Sequence, residues 1–383
     1  MHIITGLEVG GAEITLSRLL GALPSQEFSS SVISLLPGGV VAGWIRDLGV
    51  PVRSVEMFRG IPTPAAAWRL RRLVRTLQPA VVQGWMYHGN LAAWYARWGL
   101  DRAVPVAWNI RQTLYELRRE RPGTRLVIAA GARLSPGISA VVYNSELARR
   151  QHEAYGFRPP LARVISNGFD CERFRPAPDA RAALRAELGI PANRLVVGMV
   201  SRWHPMKGHE TFFAAARLVL DRGLDVAFVC AGRGVTAANP RVSAALERQG
   251  LGGRVYLLGE RSDTPRLYAG FDVSCCSSSW GEGFPNAVGE AMACGTPCVV
   301  TDVGEARALV GDAGRVVPPG DPAALGAAVG TLLAAGTEAR HRLGAAGRAR
   351  ILREFSLQRM AEAYADFYRH LAGLVGKSIE RAD

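Results

Sequence analysis

The sequence predicts an α/β protein made of two parallel-sheet units, and three observations carry that expectation. Short β-branched runs alternate with longer amphipathic stretches along the whole chain, the pattern of parallel sheets covered by helices. A turn-rich, aperiodic segment, NGFDCERFRPAP at 167–178, interrupts the alternation near its middle, after which it restarts. The 383 residues are too many for one ordinary core and about right for two.

In the first half, strands are expected near 2–5, 31–35, 80–83, 104–108, 139–143 and 162–166, with helices between them. The helix in AAAWRLRRLVRTLQP is the clearest: Leu70, Leu73, Val74 and Leu77 fall on one face, Arg69, Arg72 and Arg75 elsewhere, and Pro79 stops it. The stretch RQTLYELRRERPGTR adds Arg118, Arg119, Arg121 and Arg125. After the 167–178 segment, read as the domain linker, strands are expected near 195–200, 226–231, 255–258, 273–276 and 298–301. A final helix after Ser356 carries Met360, Tyr364, Phe367, Tyr368, Leu371 and Leu374 as one broad apolar stripe that needs a groove to bury it.

A composition of 48% apolar and 21% charged residues is globular. No run approaches the roughly 18 apolar residues of a spanning helix, and MHIITGLEVG lacks the layout of a signal peptide, so a cytoplasmic protein is expected. The six cysteines lack the paired spacings of a zinc site and read as reduced thiols; no metal site is expected. Net charge is +13, and its distribution says more than its total. Residues 1–165 hold 20 arginines against 10 acidic residues. Such a basic half suits an anionic membrane face or an acidic substrate, although for any single arginine a solvated helix face is the better explanation. Basic strands interleaved with aromatics, which would favour nucleic acid, are missing.

Several segments could carry chemistry. No GxGxxG follows the first strand, and LAGLVGKS, which resembles a phosphate loop, has Leu371 at the required first glycine and follows a helix. Gly10 and Gly11 instead precede the first helix, where backbone N–H groups could face an anion. In SRWHPMKG, Arg202 and Lys207 occupy a loop between a strand end and a helix, where a diphosphate would find cations at the carboxyl edge of a parallel sheet. Only Lys207 and Lys377 break the chain's use of arginine. His88 follows the strand near 80–83 and could face a substrate hydroxyl.

The segment SSSWGEGFPNAVGEAMACGTP places Glu282 in a glycine-rich loop and Glu290 within the helix that follows, with Pro285 in its first turn, 287–294 as its body, and Gly295 and Pro297 ending it. Gly281 and Gly283 leave room for a ligand at the helix's positive end. Eight helical steps span ~12 Å. Glycosidase carboxylate pairs lie ~5 to 9.5 Å apart across one bond, so the spacing suits two contacts along one elongated ligand better than two acids on one bond.

Taken together, GGAE at 10–13, SNGFD at 166–170, SRWHPMKG at 201–208, CAGRG at 230–234, LGERSD at 258–263 and EGFPNAVGEAMACGTPCVVTDVG at 282–304 resemble the retaining family-4 glycosyltransferases, nearly end to end. Two features depart from that family's pattern: a short first strand and a TDVG not followed by a glycine pair. The resemblance implies the GT-B fold, two Rossmann-like domains facing a cleft, with a C-terminal helix that crosses back to the first. It implies an acceptor-binding domain over 1–166 plus about 357–383 and a donor-binding domain over 167–356. By motif, Arg202 and Lys207 would bind the donor diphosphate, Glu290 the ribose, and Glu282 the transferred sugar. His88 would touch the donor sugar, Gly10 and Gly11 would lie near the phosphates, and the backbone near Gly232 and Arg261 would meet the base. Gly283, Phe284, Pro285 and Asn286 would complete the donor loop.

The activity this implies is retaining, metal-independent transfer from a nucleotide-diphosphate sugar to a glycan or lipid-linked acceptor, such as a cell-surface polysaccharide or lipopolysaccharide precursor. No cofactor is required beyond that co-substrate, and the basic half would rest on an anionic inner leaflet. The alternatives are a nucleotide-sugar 2-epimerase of the same fold, which lacks the Glu-x7-Glu segment, and a catalytically silent nucleotide-sugar binder.

Overall fold

The computed structural model describes residues 1–57, 63–100, 104–115 and 117–379, with side chains up to residue 373 and without that of Arg119. The chain forms two compact units, one of Met1–Gly168 with Leu357–Asp383 and one of Phe169–Ser356.

In the first unit seven strands run parallel: β1 (His2–Ile4), β2 (Val32–Ser34), β3 (Val52–Ser54), β4 (Val82–Trp85), β5 (Val106–Ile110), β6 (Ala140–Tyr143) and β7 (Ala162–Val164). Their spatial order is β3-β2-β1-β4-β5-β6-β7. Although only three residues long, β1 is central: it pairs with both β2 and β4 and is wholly buried. The direction of winding reverses between β1 and β4, which opens a crevice at the carboxyl ends of those strands.

The C-terminal helix Leu357–Ile379 lays the expected stripe on this unit. Met360, Tyr364, Phe367, Tyr368 and Leu371 join one core with Ile4, Leu16, Leu19 and Trp85. Leu374, also placed on the stripe, lies outside the described side chains. Polar tips lock the seat: the Tyr368 hydroxyl donates to Gln83 Oε1 at 2.5 Å, and Asn109 Nδ2 donates to the Tyr364 hydroxyl at 2.7 Å.

The second unit has six parallel strands: β8 (Leu195–Val200), β9 (Val226–Ala231), β10 (Val255–Leu257), β11 (Val273–Cys276), β12 (Cys298–Thr301) and β13 (Gly314–Val317), in the order β10-β9-β8-β11-β12-β13. Here the winding reverses between β8 and β11. The 167–178 segment has the irregular backbone the sequence predicts, but it is not a solvated linker. Phe169 and Phe174 are buried in this unit's core, and the Phe169 N–H donates to Phe355 O at 2.9 Å. Turn formers set its backbone; its aromatic side chains anchor it.

Candidate functional site

In a doubly wound sheet the loops that leave the switch-point strands face each other. In the second unit those are the loops after β8 and β11, which carry SRWHPMKG and the Glu282 segment. They are pressed together at backbone distance. Gly208 has φ of +65°, and a Cβ there would lie 2.0 Å from Ser277 O, so only glycine fits. The Ser277 hydroxyl donates to both Lys207 O and Gly208 O at 3.1 Å, and Ser279 N–H donates to Met206 O at 2.8 Å.

That juxtaposition brings the Lys207 ammonium onto Glu282 Oε1 as a direct ion pair. The Ser278 hydroxyl, itself buried, donates to the same oxygen at 2.6 Å. Burial pushes the Glu282 carboxyl up, but Lys207 and the Ser278 hydroxyl override it and hold it below the usual carboxylate range. Burial likewise works against the Lys207 ammonium, and Glu282 more than offsets it, so the lysine stays protonated. His204, in the same loop, is lowered by burial and then by Arg202 and Lys207. Arg202 is exposed beside the pair and makes no ion pair among the described residues.

From the other side the Glu282 loop is clamped by the β12 connection. The Thr301 hydroxyl donates to Ser278 O at 2.6 Å and Glu305 N–H to Gly283 O at 3.1 Å. At Gly304, φ is +62° and a Cβ would lie 2.3 Å from Glu282 O, which is why TDVG must end in glycine.

The helix expected after this loop spans Asn286–Ala293, one residue earlier at each end than the sequence reading, with Pro285 as its N-cap rather than in its first turn. No side chain caps its first N–H groups. Glu290 lies within the helix and is half-buried. The Phe284 ring turns away into the core, 6.2 Å from the Phe169 ring and 5.5 Å from that of Phe355, so only its backbone remains on the loop.

The remaining expected residues occupy the β9 and β10 ends. Gly232, with φ of +143°, presses on the β8 loop: a Cβ would stand 2.1 Å from Ser201 O. Its N–H donates to Gly259 O at 2.6 Å. The Arg261 guanidinium is filled by Asp263, with two bonds of 2.8 Å, and by Glu187 at 2.8 Å. Any contact to a ligand there falls to the backbone around it.

The first unit repeats the arrangement at its own switch point. Gly10 is the N-cap of the helix Gly11–Ala22 after β1, and His88 lies in the first turn of the helix Met86–Ala96 after β4. No loop intervenes before that second helix, because Met86 makes the turn with a left-handed φ of +60°. Gly89 then packs on β1, where a Cβ would lie 2.6 Å from Ile3 O. Burial lowers the half-buried His88 and keeps its imidazole neutral at neutral pH. Among the described residues, no cluster of histidine, cysteine, aspartate and glutamate could hold a metal ion.

Sequence reasoning missed Ser278 and the direct bond between Lys207 and Glu282. Those two residues are 75 positions apart, and only the strand order makes them neighbours. It also missed the buried Arg111 at the end of β5.

Comparison with known proteins now defines the class. The family model described as Glycosyltransferase Family 4 matches residues 9–173, and that described as Glycosyl transferases group 1 matches 194–335. The chain belongs to the group 1, family 4 glycosyltransferases. Over 154 residues it is 34% identical to the UDP-Gal:alpha-D-GlcNAc-diphosphoundecaprenol alpha-1,3-galactosyltransferase of Escherichia coli, covering 40% of this chain and 39% of that protein. Over 218 residues it is 32% identical to the lipopolysaccharide core biosynthesis mannosyltransferase LpsB of Rhizobium meliloti, covering 54% of this chain and 60% of that protein. The chain thus matches between about a third and three fifths of the length of the curated relatives it resembles first. In fold it is similar to Anabaena Alr3699/HepE, solved in complex with UDP and glucose: the TM-score is 0.83, at 22% identity over 97% of this chain and 100% of that one. The fold is GT-B.

Proposed function

We propose that this protein transfers a sugar, with retention, from a nucleoside diphosphate sugar to a glycan or lipid-linked acceptor. The observation that carries the reading is the Lys207–Glu282 pair, set by two interlocked loops at the switch point of the second sheet. A fixed ammonium, with the exposed Arg202 beside it, suits the charge that develops on a departing diphosphate, and it needs no reorganisation when that charge appears. A carboxylate held ionised beside it suits the hydroxyls of the transferred sugar. Glu290, within the next helix, is assigned to the ribose. The acceptor hydroxyl attacks C1 of the sugar on the face the diphosphate leaves, the C1–O bond to phosphate breaks, and the hydroxyl proton passes to the leaving phosphate. In this scheme Lys207 and Arg202, rather than a bound metal, take the leaving group's charge.

UDP in the similarly folded HepE supports a nucleotide at this fold, and the names of the galactosyl and mannosyl relatives support an acceptor built on a lipid diphosphate or a lipopolysaccharide core. Such acceptors agree with work at the cytoplasmic face of a membrane. The roles given to Gly10, Gly11 and His88 rest on the sequence resemblance.

Exchange of Lys207 for alanine lowers turnover with any accepted donor by at least ~10-fold, since a charge-assisted contact is worth ~1.5–3 kcal/mol. Because that variant takes the ammonium away from the buried Glu282, the double variant Lys207→Met with Glu282→Gln is assayed beside it. Full activity in a folded variant of either kind would overturn the diphosphate assignment. Thermal stabilisation by UDP-, GDP- and ADP-sugars identifies the donor.

A further inference from the structure

We infer that Arg348 is a positioning residue for the nucleotide: it sets, from the far end, where the helix Asn286–Ala293 presents Glu290. The inference rests on the reading above that gives Glu290 the ribose.

That helix is eight residues long, too short to hold itself, and no side chain caps its first N–H groups. Its place depends on what grips it. At its carboxyl end the backbone answers three of the last four carbonyls: Cys294 N–H donates to Glu290 O at 3.1 Å, Thr296 N–H to Ala291 O at 3.0 Å and Gly295 N–H to Met292 O at 2.9 Å. Gly295 makes that turn with φ of +75°. The fourth carbonyl, Ala293 O, accepts from Arg348 Nη1.

Arg348 comes from the helix Gly336–Glu354, where it shares a face with the buried Gly344 and Gly347, four and one residues before it. A Cβ on Gly344 would lie 1.9 Å from Gly295 O, and one on Gly347 would touch Met292 Cε at 3.5 Å. The two helices therefore meet backbone to backbone at the Gly295 turn, and the guanidinium closes the joint. Nη1 also donates to Phe174 O at 3.1 Å, and Nη2 donates to Cys171 O at 3.4 Å. Since Phe174 is buried in the core, the helix end is tied to a fixed part of the unit. A planar fork can reach three carbonyls at once, and a cation there also complements the negative end of the helix.

Glu290 lies three residues before Ala293, ~4.5 Å along the axis, so a displaced helix end moves Glu290 with it. A misplacement of ~1 Å is enough to spoil a positioned contact. The Lys207–Glu282 pair, by contrast, sits on loops locked by Ser277 and Thr301. Loss of Arg348 therefore shows in ribose recognition and not in binding of the diphosphate.

The test is calorimetric titration of the full chain with UDP, GDP and ADP, then with the 2′,3′-dideoxy form of whichever binds most tightly. Wild type prefers the form with both ribose hydroxyls by at least ~10-fold, because a hydrogen bond to a charged carboxylate is of that strength. Arg348→Met reduces the preference to within ~3-fold, and Gly344→Ala, which pushes on Gly295 O while keeping the guanidinium, does the same. Both variants bind the dideoxy form as wild type does, within ~3-fold, which shows that the unit is folded. Wild type that binds none of the three nucleotides overturns the donor reading, and this inference with it. Wild type that binds one but ignores its ribose hydroxyls removes Glu290 from the site and Arg348 from its role. Folded variants that keep the wild-type preference overturn the role of Arg348 alone.

Discussion

In the Phe169–Ser356 unit one buried cation, Arg185, is answered by an anion, Asp272, at 2.6 Å, while a second, Arg340, donates to Leu333 O at 2.8 Å; in the unit of Met1–Gly168 and Leu357–Asp383 the buried cation Arg111 meets neutral oxygens among the described residues. The same contrast runs outward. Arg181 shares Asp272; Arg261 and Arg266 share Glu187 and Asp263; Arg194 and Arg254 share Asp225. The first unit has such pairs too, as in Arg149 with Glu146, but many of its arginines lie over tryptophan rings or on carbonyls. In the second unit anions fix the buried start of β8 and the loop after β10, and in the first neutral oxygens hold the buried Arg111.

The largest effect expected from this contrast is at Asp272. Its carboxylate also accepts from Val196 N–H at 2.7 Å, so it ties the start of β8, the strand that leads to the Lys207 loop, to a buried guanidinium. Asp272→Ala strands Arg185 without an anion and costs ~3–5 kcal/mol of the second unit's stability. Urea unfolding followed by thiol exposure reads this unit alone, because all six cysteines belong to it and five of them are buried. A loss below about 1 kcal/mol would erase the distinction between paired and unpaired buried cations.

Acid separates the units next. His152 and His2 are buried in the first, His209 in the second, and burial holds all three below their ordinary value, His152 and His209 at about 4. A depressed folded value means that the unfolded chain takes up the proton first. Stability is therefore full above about pH 6.5 and is lost as pH falls toward 4, by ~3 kcal/mol for a shift of this size. Against burial, Lys207 and the Ser278 hydroxyl hold Glu282 below the usual carboxylate range, so the ion pair of the second unit outlasts an ordinary carboxylate as pH falls. With two such histidines against one, the first unit yields at the higher pH, read by tryptophan fluorescence, which six of the eight tryptophans weight toward it. Thiol exposure that precedes the fluorescence change as pH falls would contradict the comparison.

What the sequence makes legible follows burial. The second unit's β8, β9, β11 and β12 are read with their observed ends, because central strands of a parallel sheet are apolar throughout. The two strands left unread, β3 and β13, both lie at sheet edges, and each places an exposed arginine, Arg53 or Arg315, inside a run of three or four residues. Edge position alone does not hide a strand, since β7, with its exposed Arg163, and β10 are also edges and are read. The site is legible as motifs but not as contacts. Lys207, Glu282 and Gly208 are visible one by one, while the Ser277 bonds that lock their loops depend on strand order. Arg111 leaves no trace at all, since NIRQ has no period, no glycine and no partner motif.

Arg111 gives the smallest and sharpest test. Its Nη1 donates to Asn109 Oδ1 at 3.1 Å and to the Tyr364 hydroxyl at 2.8 Å, its Nη2 donates to Asn167 Oδ1, and its guanidinium lies 5.7 Å from the Trp85 ring centroid. Its Nε has no hydrogen-bond partner among the described residues. The residue thus joins the end of β5, the last residues before the second unit and the C-terminal helix by hydrogen bonds rather than by ion pairing. Replacing it with methionine removes a desolvated charge along with its bonds, so the two effects partly offset, and the first unit loses only ~1–2 kcal/mol. Arg111→Lys keeps the charge and cannot reach all three acceptors, so it costs at least as much as the methionine variant. The loss is read as faster hydrogen exchange in residues 357–371. If methionine costs as much here as Asp272→Ala costs in the other unit, the charge of Arg111 is itself stabilising, and the two units treat buried cations alike.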